Sequence, residues 1–528
     1  MSLSRLTNAR IYTMDPSRAL ASSLTLENGR IRALDDDRSR SLPHQKHTVD
    51  LQGRTILPGL TDAHLHLRKV ALNLKQLDVE TETRSTCLQR VAARARELPA
   101  GEWILGHGWN QNRWQEGYGT PGDLDQAAPE NPVYLTAKSL HASWANSLAL
   151  EKAGITAETA DPQGGRLSRD QRGTPTGFLF ESAVQLLEQV LPDPDVEETA
   201  RAIQQAQPQL WKAGLTGVHD FDRRTCFAAL QLLDARQKLK LRVLKSIPLA
   251  LLSEAIQLGL RTGFGGEMLW IGGIKAFADG ALGPQTAALL DPYQGSETDR
   301  GLLLITEEDL TAQAIQAADS GLAMAVHAIG DRANRIVLNA LEKVRRYEQK
   351  HGLPALPHRI EHVQLISPQD KGRLADLDIT ASMQPIHAVS DMKMADRFWG
   401  ERVSLAYASR TQLDQGALVV FGSDAPVESF NPFLGIHAAV TRQRGDGSPG
   451  PQGWIPEERI NVKEAFQGFT SAPAQAARRE HFLGKLIPGL AADLIVLEQD
   501  PFTLPADELQ YLKPVGTMIA GEWVYRSF

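Results

Sequence analysis

Two histidines stand two positions apart in the segment GLTDAHLHL, and further polar residues end other apolar segments of this 528-residue chain. His64 and His66 form the pair, and His327, His362 and Asp424 each end a later apolar run. Residues i and i+2 of an extended strand point to the same side, so the paired imidazoles share one face. Converging imidazoles suit a divalent transition metal, which lowers the pKa of a bound water to about 7. The Asp424 carboxylate can ligate such a metal or accept a proton from this water.

Each of these residues also has an ordinary structural interpretation. A histidine at a strand end is more often a hydrogen-bonded polar side chain than a ligand, and Asp424 would suit a helix N-cap. Lys275, in the segment GGIKAF, could equally be the partner of a buried carboxylate. Such residues occur at or near the ends of five apolar segments, however, and this joint occurrence favours a common site.

The elements that must position these residues alternate between strands and helices. Helical patterns separate eight apolar segments, which occupy residues 55–64, 214–221, 241–247, 270–280, 322–331, 359–364, 379–385 and 418–426. Near-continuous apolar strands are typical of parallel sheets buried on both faces, and eight repeats predict an α/β fold with a (β/α)8 TIM-type barrel. The carboxyl ends of the strands then meet at one mouth, which brings distant residues together.

The spacing of the segments predicts the domain organisation. The first strand ends near His66 and the second begins far downstream, which leaves room for a large insertion at about 70–205. An insertion in the first βα loop would sit over the carboxyl face of the barrel, as a lid, an oligomer contact or part of the site. We expect the barrel at 58–478 and one small β-unit from the two ends of the chain, 1–57 and 479–528.

Composition and charge argue against several classes of function. The net charge is −7 and no long run of Lys or Arg occurs, so nucleic acid and anionic membranes are poor candidate partners. The two cysteines, Cys87 and Cys226, are too few and too far apart for a disulfide framework or a cysteine-based zinc site. No signal peptide and no apolar run of membrane-spanning length is apparent, so we expect a cytoplasmic protein.

The sequence also resembles a known group of enzymes over essentially its whole length. GLTDAHLHL and the order His-x-His, Lys, His, His, Asp are similar to the binuclear pattern of the amidohydrolase superfamily. The resemblance is closest to amidohydrolase family 3, which includes N-substituted formamide deformylases. It rests on GHGWNQNRW (106–114), SLHASWANSLALEKAGI (139–155), GGIKAFADGALG (272–283), HAIGDRA (327–333), RIEHVQ (359–364), QPIHAVSD (384–391) and FGSDAPVESFNPF (421–433). The resemblance implies a barrel with a β-sandwich built from both termini.

The same resemblance implies two divalent metal ions per chain, with zinc expected and other metals open. His64 and His66 would bind the more buried ion with Asp424, and His327 and His362 would bind the second. These assignments follow the order of the family's motifs along the chain. They are expectations from the resemblance and not consequences of spacing alone.

Lys275 would bridge both ions as a carbamate formed from carbon dioxide or bicarbonate. A carbamylated lysine is an anionic oxygen ligand, whereas a bare ammonium repels cations. An unmodified Lys275 favours a single metal ion, and the sequence leaves both states open. The resemblance further implies that metal-bound hydroxide attacks an amide, formamide or cyclic amide carbonyl. Asp424 is the expected catalytic residue, accepting the proton and passing it to the leaving amine.

The candidate substrate contacts are Trp109, His141, Asp279 and His387. His141 and His387 match positions that line the pocket in the family, while burial in a core is at least as good an interpretation of Trp109. The expected partner is a small-molecule substrate, and related enzymes make a homodimer an open expectation.

Two other functions fit parts of the pattern. A deaminase of small heterocycles shares the barrel and the His-x-His pair, but mononuclear deaminases typically need a Glu near the His327 position and have no use for Lys275. A barrel that only binds a ligand, with the metal residues kept as relics, is the alternative outside enzymes. Decayed sites usually lose a ligand, and every expected ligand is present in this chain.

Overall fold

The computed structural model describes residues 3–35, 48–109, 114–137, 142–162 and 165–528. The chain divides into two compact units, one made of Met1–Ala71 with Thr199–Phe528 and the other of Leu72–Glu198. The second unit occupies most of the range expected for the insertion, which was about 70–205.

The strands of the described residues are β1 (Leu3–Thr7), β2 (Arg10–Tyr12), β3 (Leu20–Ala21), β4 (Ser23–Glu27), β5 (Arg30–Asp35), β6 (Thr48–Asp50), β7 (Thr55–Pro58), β8 (Leu60–Leu65), β9 (Leu77–Asp78), β10 (Ile104–Trp109), β11 (Val133–Ala137), β12 (Ala142–Ala145), β13 (Gly165–Arg169), β14 (Pro175–Glu181), β15 (Leu215–Asp220), β16 (Arg242–Pro248), β17 (Leu269–Phe277), β18 (Ala323–Ala328), β19 (Arg359–His362), β20 (Thr380–Met383), β21 (Val419–Phe421), β22 (Leu494–Leu497), β23 (Pro514–Ile519) and β24 (Glu522–Arg526).

The α-helices of the same residues are α1 (Leu67–Asn73), α2 (Arg84–Glu97), α3 (Pro121–Ala127), α4 (Ser147–Lys152), α5 (Gln185–Glu188), α6 (Val196–Lys212), α7 (Arg224–Ala235), α8 (Leu252–Gln257), α9 (Glu307–Asp319), α10 (Asp331–His351), α11 (Arg373–Asp376), α12 (Pro385–Trp399), α13 (Ser409–Asp414), α14 (Pro432–Thr441), α15 (Val462–Gly468) and α16 (Ser471–Ala476). No helix among the described residues combines the length and apolarity needed to cross a bilayer.

Eight parallel strands form the barrel of the first unit. Their order is β8-β15-β16-β17-β18-β19-β20-β21, so each strand pairs with the next one along the chain. The first strand, β8, meets the segment that follows the last strand, β21, at the carboxyl end of the barrel. There, Asp424 N donates to His64 O at 2.7 Å and His66 N donates to Ala425 O at 2.9 Å. Every apolar segment expected to be a barrel strand contributes one strand, which confirms the predicted TIM-type barrel.

Helix α10, which follows β18, illustrates how the sequence builds the outer layer. Val337, Ala340, Leu341 and Val344 recur at helical spacing and are fully buried. The helix ends at Gly352, whose left-handed backbone (φ 65°) is the usual helix terminator. One apolar stripe therefore attaches the helix to the barrel, and its polar residues cover the outside.

The first apolar segment divides into two strands with different partners. Its beginning, β7, joins a six-stranded sheet of order β24-β23-β22-β7-β2-β3, and its end, β8, joins the barrel. A four-stranded sheet of order β5-β4-β1-β6 lies nearby in the fold, because one buried apolar cluster contains Leu24 and Ile31 from this sheet with Ile56 and Val496 from the other. Both termini therefore contribute to one cluster beside the barrel.

The second unit, Leu72–Glu198, has a sheet of its own. Its strand order is β13-β14-β12-β11-β10-β9, with β9, β10 and β11 parallel and the remaining pairs antiparallel. The core of the unit is rich in aromatic rings. Trp144 stacks on Phe178 with ring centroids 5.6 Å apart, and Trp109 packs edge-on against Phe178 at 5.5 Å.

The closure of the barrel leaves no room for a side chain at Gly422, directly after β21. A Cβ at this position would lie 2.4 Å from His64 N and 2.8 Å from the Asp62 carboxylate. The first of these neighbours is backbone, which cannot turn aside as a flexible side chain could.

We therefore expect Gly422→Ala to lower the midpoint of thermal unfolding by several degrees, because overpacking of this kind costs about 1–3 kcal/mol. Gly266→Ala is the matched control, since nothing lies within 4 Å of the Cβ that it would add. The measurement is a thermal melt of both metal-free variants. Equal midpoints for the two would contradict the close approach of β21 to β8.

Candidate metal centre

Three predicted ligands converge where the first and last barrel strands meet. The Nε2 atoms of His64 and His66 lie 3.5 and 3.4 Å from Oδ1 of Asp424. His362 joins them, and ligand atoms of His64, His362 and Asp424 all lie within 4.8 Å of one another. Nitrogen and oxygen donors at this spacing suit a transition metal such as zinc.

Two further predicted residues border this group. The ring of His327, at the end of β18, lies 4.5 Å from that of His362 between centroids, and the His64 and His362 rings are 4.8 Å apart. Lys275 extends from β17, and its Nζ is influenced by the charges of Asp424 and Glu361. The structure thus brings all six predicted metal residues to one end of the barrel.

Each imidazole uses one nitrogen for a hydrogen bond to an acceptor outside the ligand cluster and leaves the other for the candidate centre, where Nε2 of His66 contacts Asp424 at 3.4 Å. Nδ1 lies 2.6 Å from Glu361 in His64, 3.3 Å from Asp222 in His66 and 2.8 Å from Gln384 Oε1 in His362. His327 uses the opposite ring nitrogen for its hydrogen bond, because its Nε2 lies 2.9 Å from Gly280 O. Metal-ligating histidines usually have such acceptors, which orient the ring and select the tautomer.

The backbone at two of these positions is left-handed. His362, the last residue of β19, has φ 79°, and Asp424, three residues beyond the end of β21, has φ 57°. For residues other than glycine this conformation costs of order 1 kcal/mol or more, and it recurs at functional sites. Adjacent residues of a regular strand point to opposite faces, whereas here Glu361 and His362 both contact residues of the candidate centre. The left-handed backbone of His362 coincides with this departure from the alternation of side chains along β19.

The two histidines of β8 differ in charge in the metal-free protein. Burial lowers the pKa of His64 to about 4, although Glu361 opposes this shift. Burial also disfavours the charged form of His66, but hydrogen bonds to Asp222 and Asp424 outweigh it and raise the pKa to about 9. His66 is therefore protonated at neutral pH without metal, and binding of a cation must release that proton.

Lys275 is buried, and its ammonium has no hydrogen-bond acceptor among the described residues. Its neighbours are instead two aromatic rings, with Nζ 4.8 Å from the centroid of Phe221 and 5.0 Å from that of Phe277. Burial lowers its pKa to about 8. A buried nitrogen without an acceptor is costly, and this arrangement fits a lysine that carries a further group or faces a metal ligand set.

Asp279 is near the centre, but both of its carboxylate oxygens are already occupied. Oδ1 accepts from Ile329 N at 3.0 Å, and Oδ2 accepts from Gly330 N at 2.8 Å and Ala288 N at 2.9 Å. The side chain is buried, and burial raises its pKa to about 7. These contacts favour a structural role, in which Asp279 joins the loops after β17 and β18, over the substrate contact expected from the sequence.

His387, at the start of α12, lies beside the centre. Its ring is parallel to that of His362 at 6.4 Å between centroids, and its Nδ1 lies 3.4 Å from Gln364 Nε2. Its Nε2 is buried and has no hydrogen-bond partner among the described residues. This nitrogen is free to contact a bound molecule, so the geometry is compatible with the predicted role.

The other two candidate substrate contacts, Trp109 and His141, fall within the residue range of the second unit. Trp109 is fully buried, and its indole N–H donates to Leu135 O at 2.8 Å. These contacts and its aromatic neighbours favour the core interpretation. His141 lies outside the described residues.

Sequence reasoning missed the residues that orient the histidines. Glu361 was visible only as the neighbour of His362 in RIEHVQ, while Asp222 and Gln384 carried no signal beyond their place at a strand end. Glu361 and Arg359 occupy alternate positions of β19, and paired charges at alternate positions of an apolar strand could have indicated a buried ion pair.

Comparison with known proteins assigns the chain to a family. The family model described as Amidohydrolase family matches residues 47–525, which is most of the chain. This chain belongs to the amidohydrolase family. The resemblance inferred from the sequence is thereby confirmed, and membership together with the cluster of candidate ligands identifies a metal-dependent hydrolase.

Several relatives share most of the length of this amidohydrolase. The putative amidohydrolase YtcJ of Bacillus subtilis is 34% identical over 91% of this chain and 90% of its own. The N-substituted formamide deformylase of Arthrobacter pascens is 29% identical over 97% and 96%. The crystal structure of an uncharacterized metal-dependent hydrolase from Pyrococcus horikoshii superposes with a TM-score of 0.79 at 27% identity, covering 96% of this chain and 99% of that one.

The hydrogen bonds of Asp279 give a prediction that separates a structural role from substrate binding. Asp279→Ala leaves three buried backbone N–H groups unpaired, at about 1–3 kcal/mol each, so we expect a lower midpoint of thermal unfolding in metal-free protein. Asp291→Ala, at an exposed aspartate in the same loop region, should melt like the wild type. An unchanged midpoint for Asp279→Ala combined with a raised KM would instead support direct substrate contact.

Proposed function

We propose that this amidohydrolase cleaves a C–N bond in a small molecule, with an amide, a formamide or a cyclic amide as the substrate class. The observation that carries the proposal is the convergence of four imidazoles, one carboxylate and one buried lysine at the carboxyl end of the barrel. The relative that deformylates N-substituted formamides supports the bond type, because it resembles this chain over nearly its full length.

The residues present fit two divalent metal ions, and zinc is the proposed metal. His64, His66 and Asp424 would hold the more buried ion, and His327 and His362 the second. The nitrogens that these hydrogen bonds leave for a metal are Nε2 in three of these histidines and Nδ1 in His327, and Nε2 of His66 must first release the proton that it shares with Asp424. When bound, such ions lower the pKa of water and polarise a carbonyl oxygen.

Lys275 completes the proposed ligand set as a carbamate. Carbamate formation requires a neutral amine, and a pKa of about 8 leaves an appreciable neutral fraction at neutral pH. The amine bonds to the carbon of carbon dioxide and releases one proton. The added carboxylate supplies oxygen ligands at a position where the ammonium has no acceptor among the described residues.

Asp424 is the proposed proton carrier. Burial opposes its ionisation, but a hydrogen bond from His66 and the nearby imidazoles hold its pKa well below the usual range. It therefore begins the reaction as a carboxylate that can accept a proton from the attacking water. It then delivers this proton to the nitrogen of the departing amine. His387, with its unpaired Nε2, is the proposed contact for a polar group of the substrate.

Several further assignments belong to the same proposal. The two terminal sheets would form a β-sandwich, with parts at 1–57 and 479–528 beside the barrel at 58–478. The protein would act in the cytoplasm on a small molecule, without nucleic acid or membrane partners, and a homodimer is one of the open oligomeric states. His141 stays a proposed substrate contact, and Trp109 is proposed as a core residue of the second unit.

The most direct test is a screen of N-acyl and N-formyl amines with zinc-reconstituted protein. Release of free amine, detected with an amine-reactive dye, is the expected result. Release of ammonia from heterocyclic amines would support the deaminase instead. Metal-bound protein that hydrolyses none of these compounds would contradict the proposed bond type.

The role of Asp424 predicts the behaviour of Asp424→Asn. The amide cannot accept the proton, so we expect kcat to fall by a factor of about 10²–10⁴ while the far-ultraviolet circular dichroism stays that of the wild type. Asp414→Asn, at an exposed position of α13, is the control and should retain normal turnover. Near-normal rates for Asp424→Asn would refute the assignment.

The bridging role of Lys275 predicts the metal content. Wild-type protein prepared with zinc and bicarbonate should hold about two ions per chain, as expected for a complete ligand set. Lys275→Met removes the carbamate and should hold one ion or none. The measurement is elemental analysis after gel filtration, with the mass of the intact native protein reporting the added carbon dioxide. Two ions in Lys275→Met would show that no bridge from this residue is needed.

A further inference from the structure

A row of buried, hydrogen-bonded side chains with the Glu361–Arg359 ion pair at its middle runs through the barrel beneath the candidate metal centre. It leads from His64 on β8 to Glu361 and Arg359 on β19 and on to His219 on β15. All four side chains are almost completely buried. Burying charge is expensive unless every group is paired, so such a row needs a reason to be retained.

Glu361 contacts two partners of different kinds. Its Oε2 lies 2.6 Å from Nδ1 of His64, and its Oε1 accepts from Nε of Arg359 at 2.5 Å. A carboxylate paired with a guanidinium can only accept hydrogen bonds. Nδ1 of His64 must therefore carry a proton, and Nε2, which lies 3.5 Å from Asp424, keeps its lone pair for a ligand.

Arg359 holds Glu361 in place through contacts with several barrel strands. Its Nη2 donates to Ala63 O and to Ser382 Oγ, each at 2.7 Å, and lies 3.1 Å from Glu361 Oε2. Its Nη1 lies 2.8 Å from His219 Nδ1. The planar guanidinium thus joins β8, β15, β19 and β20 around one carboxylate, and it leaves Glu361 little freedom to turn away from His64.

We propose that Glu361 is a positioning residue that fixes the tautomer and orientation of His64, and that Arg359 acts by immobilising Glu361. This inference rests on the proposed function, because it takes His64 as a metal ligand. It assigns to the pair a part in metal affinity, not a contact with substrate. An acidic partner on the second nitrogen makes an imidazole a better ligand, and removing such partners typically costs a factor of about 10–100 in metal affinity.

The centre supplies its own comparison for this role. His362 has an acceptor in the same place, Nδ1 to Gln384 Oε1 at 2.8 Å, but this acceptor is an uncharged amide. Ser382 accepts from the same guanidinium as Glu361, and its hydroxyl makes no hydrogen bond to a predicted ligand among the described residues. Changes at Glu361 and at Ser382 therefore separate the positioning of His64 from the packing of Arg359.

The test is a titration of metal-free protein with Zn²⁺ against a chromophoric chelator, for wild type, Glu361→Gln, Glu361→Asp and Ser382→Ala. We expect both Glu361 variants to bind one of the two ions 10–100-fold more weakly, and Ser382→Ala to bind as the wild type does. Glu361→Asp keeps the charge opposite Arg359, which protects the fold if Glu361→Gln does not fold. In ¹⁵N-labelled wild-type protein, the His64 resonance, assigned with His64→Gln, should show a protonated Nδ1, and this signature should be lost in the Glu361 variants.

The outcomes distinguish this inference from the proposed function. If His64→Gln binds Zn²⁺ as tightly as the wild-type protein does, His64 is not a metal ligand, and the role of Glu361 is overturned with it. Loss in His64→Gln together with wild-type affinity in both Glu361 variants would overturn only the positioning role. An equal loss in Ser382→Ala would show that packing of Arg359, and not its hold on His64 through Glu361, determines the affinity.

Discussion

The closure of the barrel between β8 and β21 is the constraint on which the candidate centre depends. The backbone hydrogen bond from Asp424 N to His64 O joins the first and last strands and simultaneously sets two predicted ligands beside each other. Because an open sheet would leave these strands at opposite edges, the candidate ligands meet only if the barrel closes. Gly422 allows this closure, since a side chain there would meet the backbone of His64.

The centre is expensive to assemble. It brings together cationic and anionic groups that are nearly all buried, and two of its backbone positions are left-handed. The cost is offset by pairing: the carboxylate of Asp62, for example, accepts from His64 N and from both the backbone and hydroxyl of Ser423. Lys275 and His387 are exceptions, because the Lys275 ammonium has aromatic neighbours and no acceptor, and Nε2 of His387 has no partner, among the described residues. These two unpaired buried nitrogens support the ligand and substrate contacts proposed above.

The sequence was informative wherever a residue type and its place on a strand carried the signal together. His64, His66, His327, His362 and Asp424 stood out because polar residues at the ends of apolar strands are unusual, and parallel strands share one carboxyl end. Asp279 stood out for a similar reason. Its place just after β17 and close to Lys275 suggested a substrate contact, whereas the three backbone amides that bond its carboxylate favour a structural role, and loop contacts of this kind have no periodic signature. Trp109 was ambiguous in sequence, because a large aromatic serves equally in a core and in a pocket.

By itself, the sequence indicated the eight-stranded barrel through the periodicity of its apolar segments, the family through the motifs that it resembles, and the converging residues through their places at strand ends. Only the tertiary structure decided which nitrogen of each histidine is left for the centre, which acceptor orients the ring and which candidate is already hydrogen-bonded elsewhere. Glu361 and Arg359 show why. Their partners His64, His219 and Ser382 come from three other strands, so their role appears only when the barrel brings these side chains within hydrogen-bonding distance.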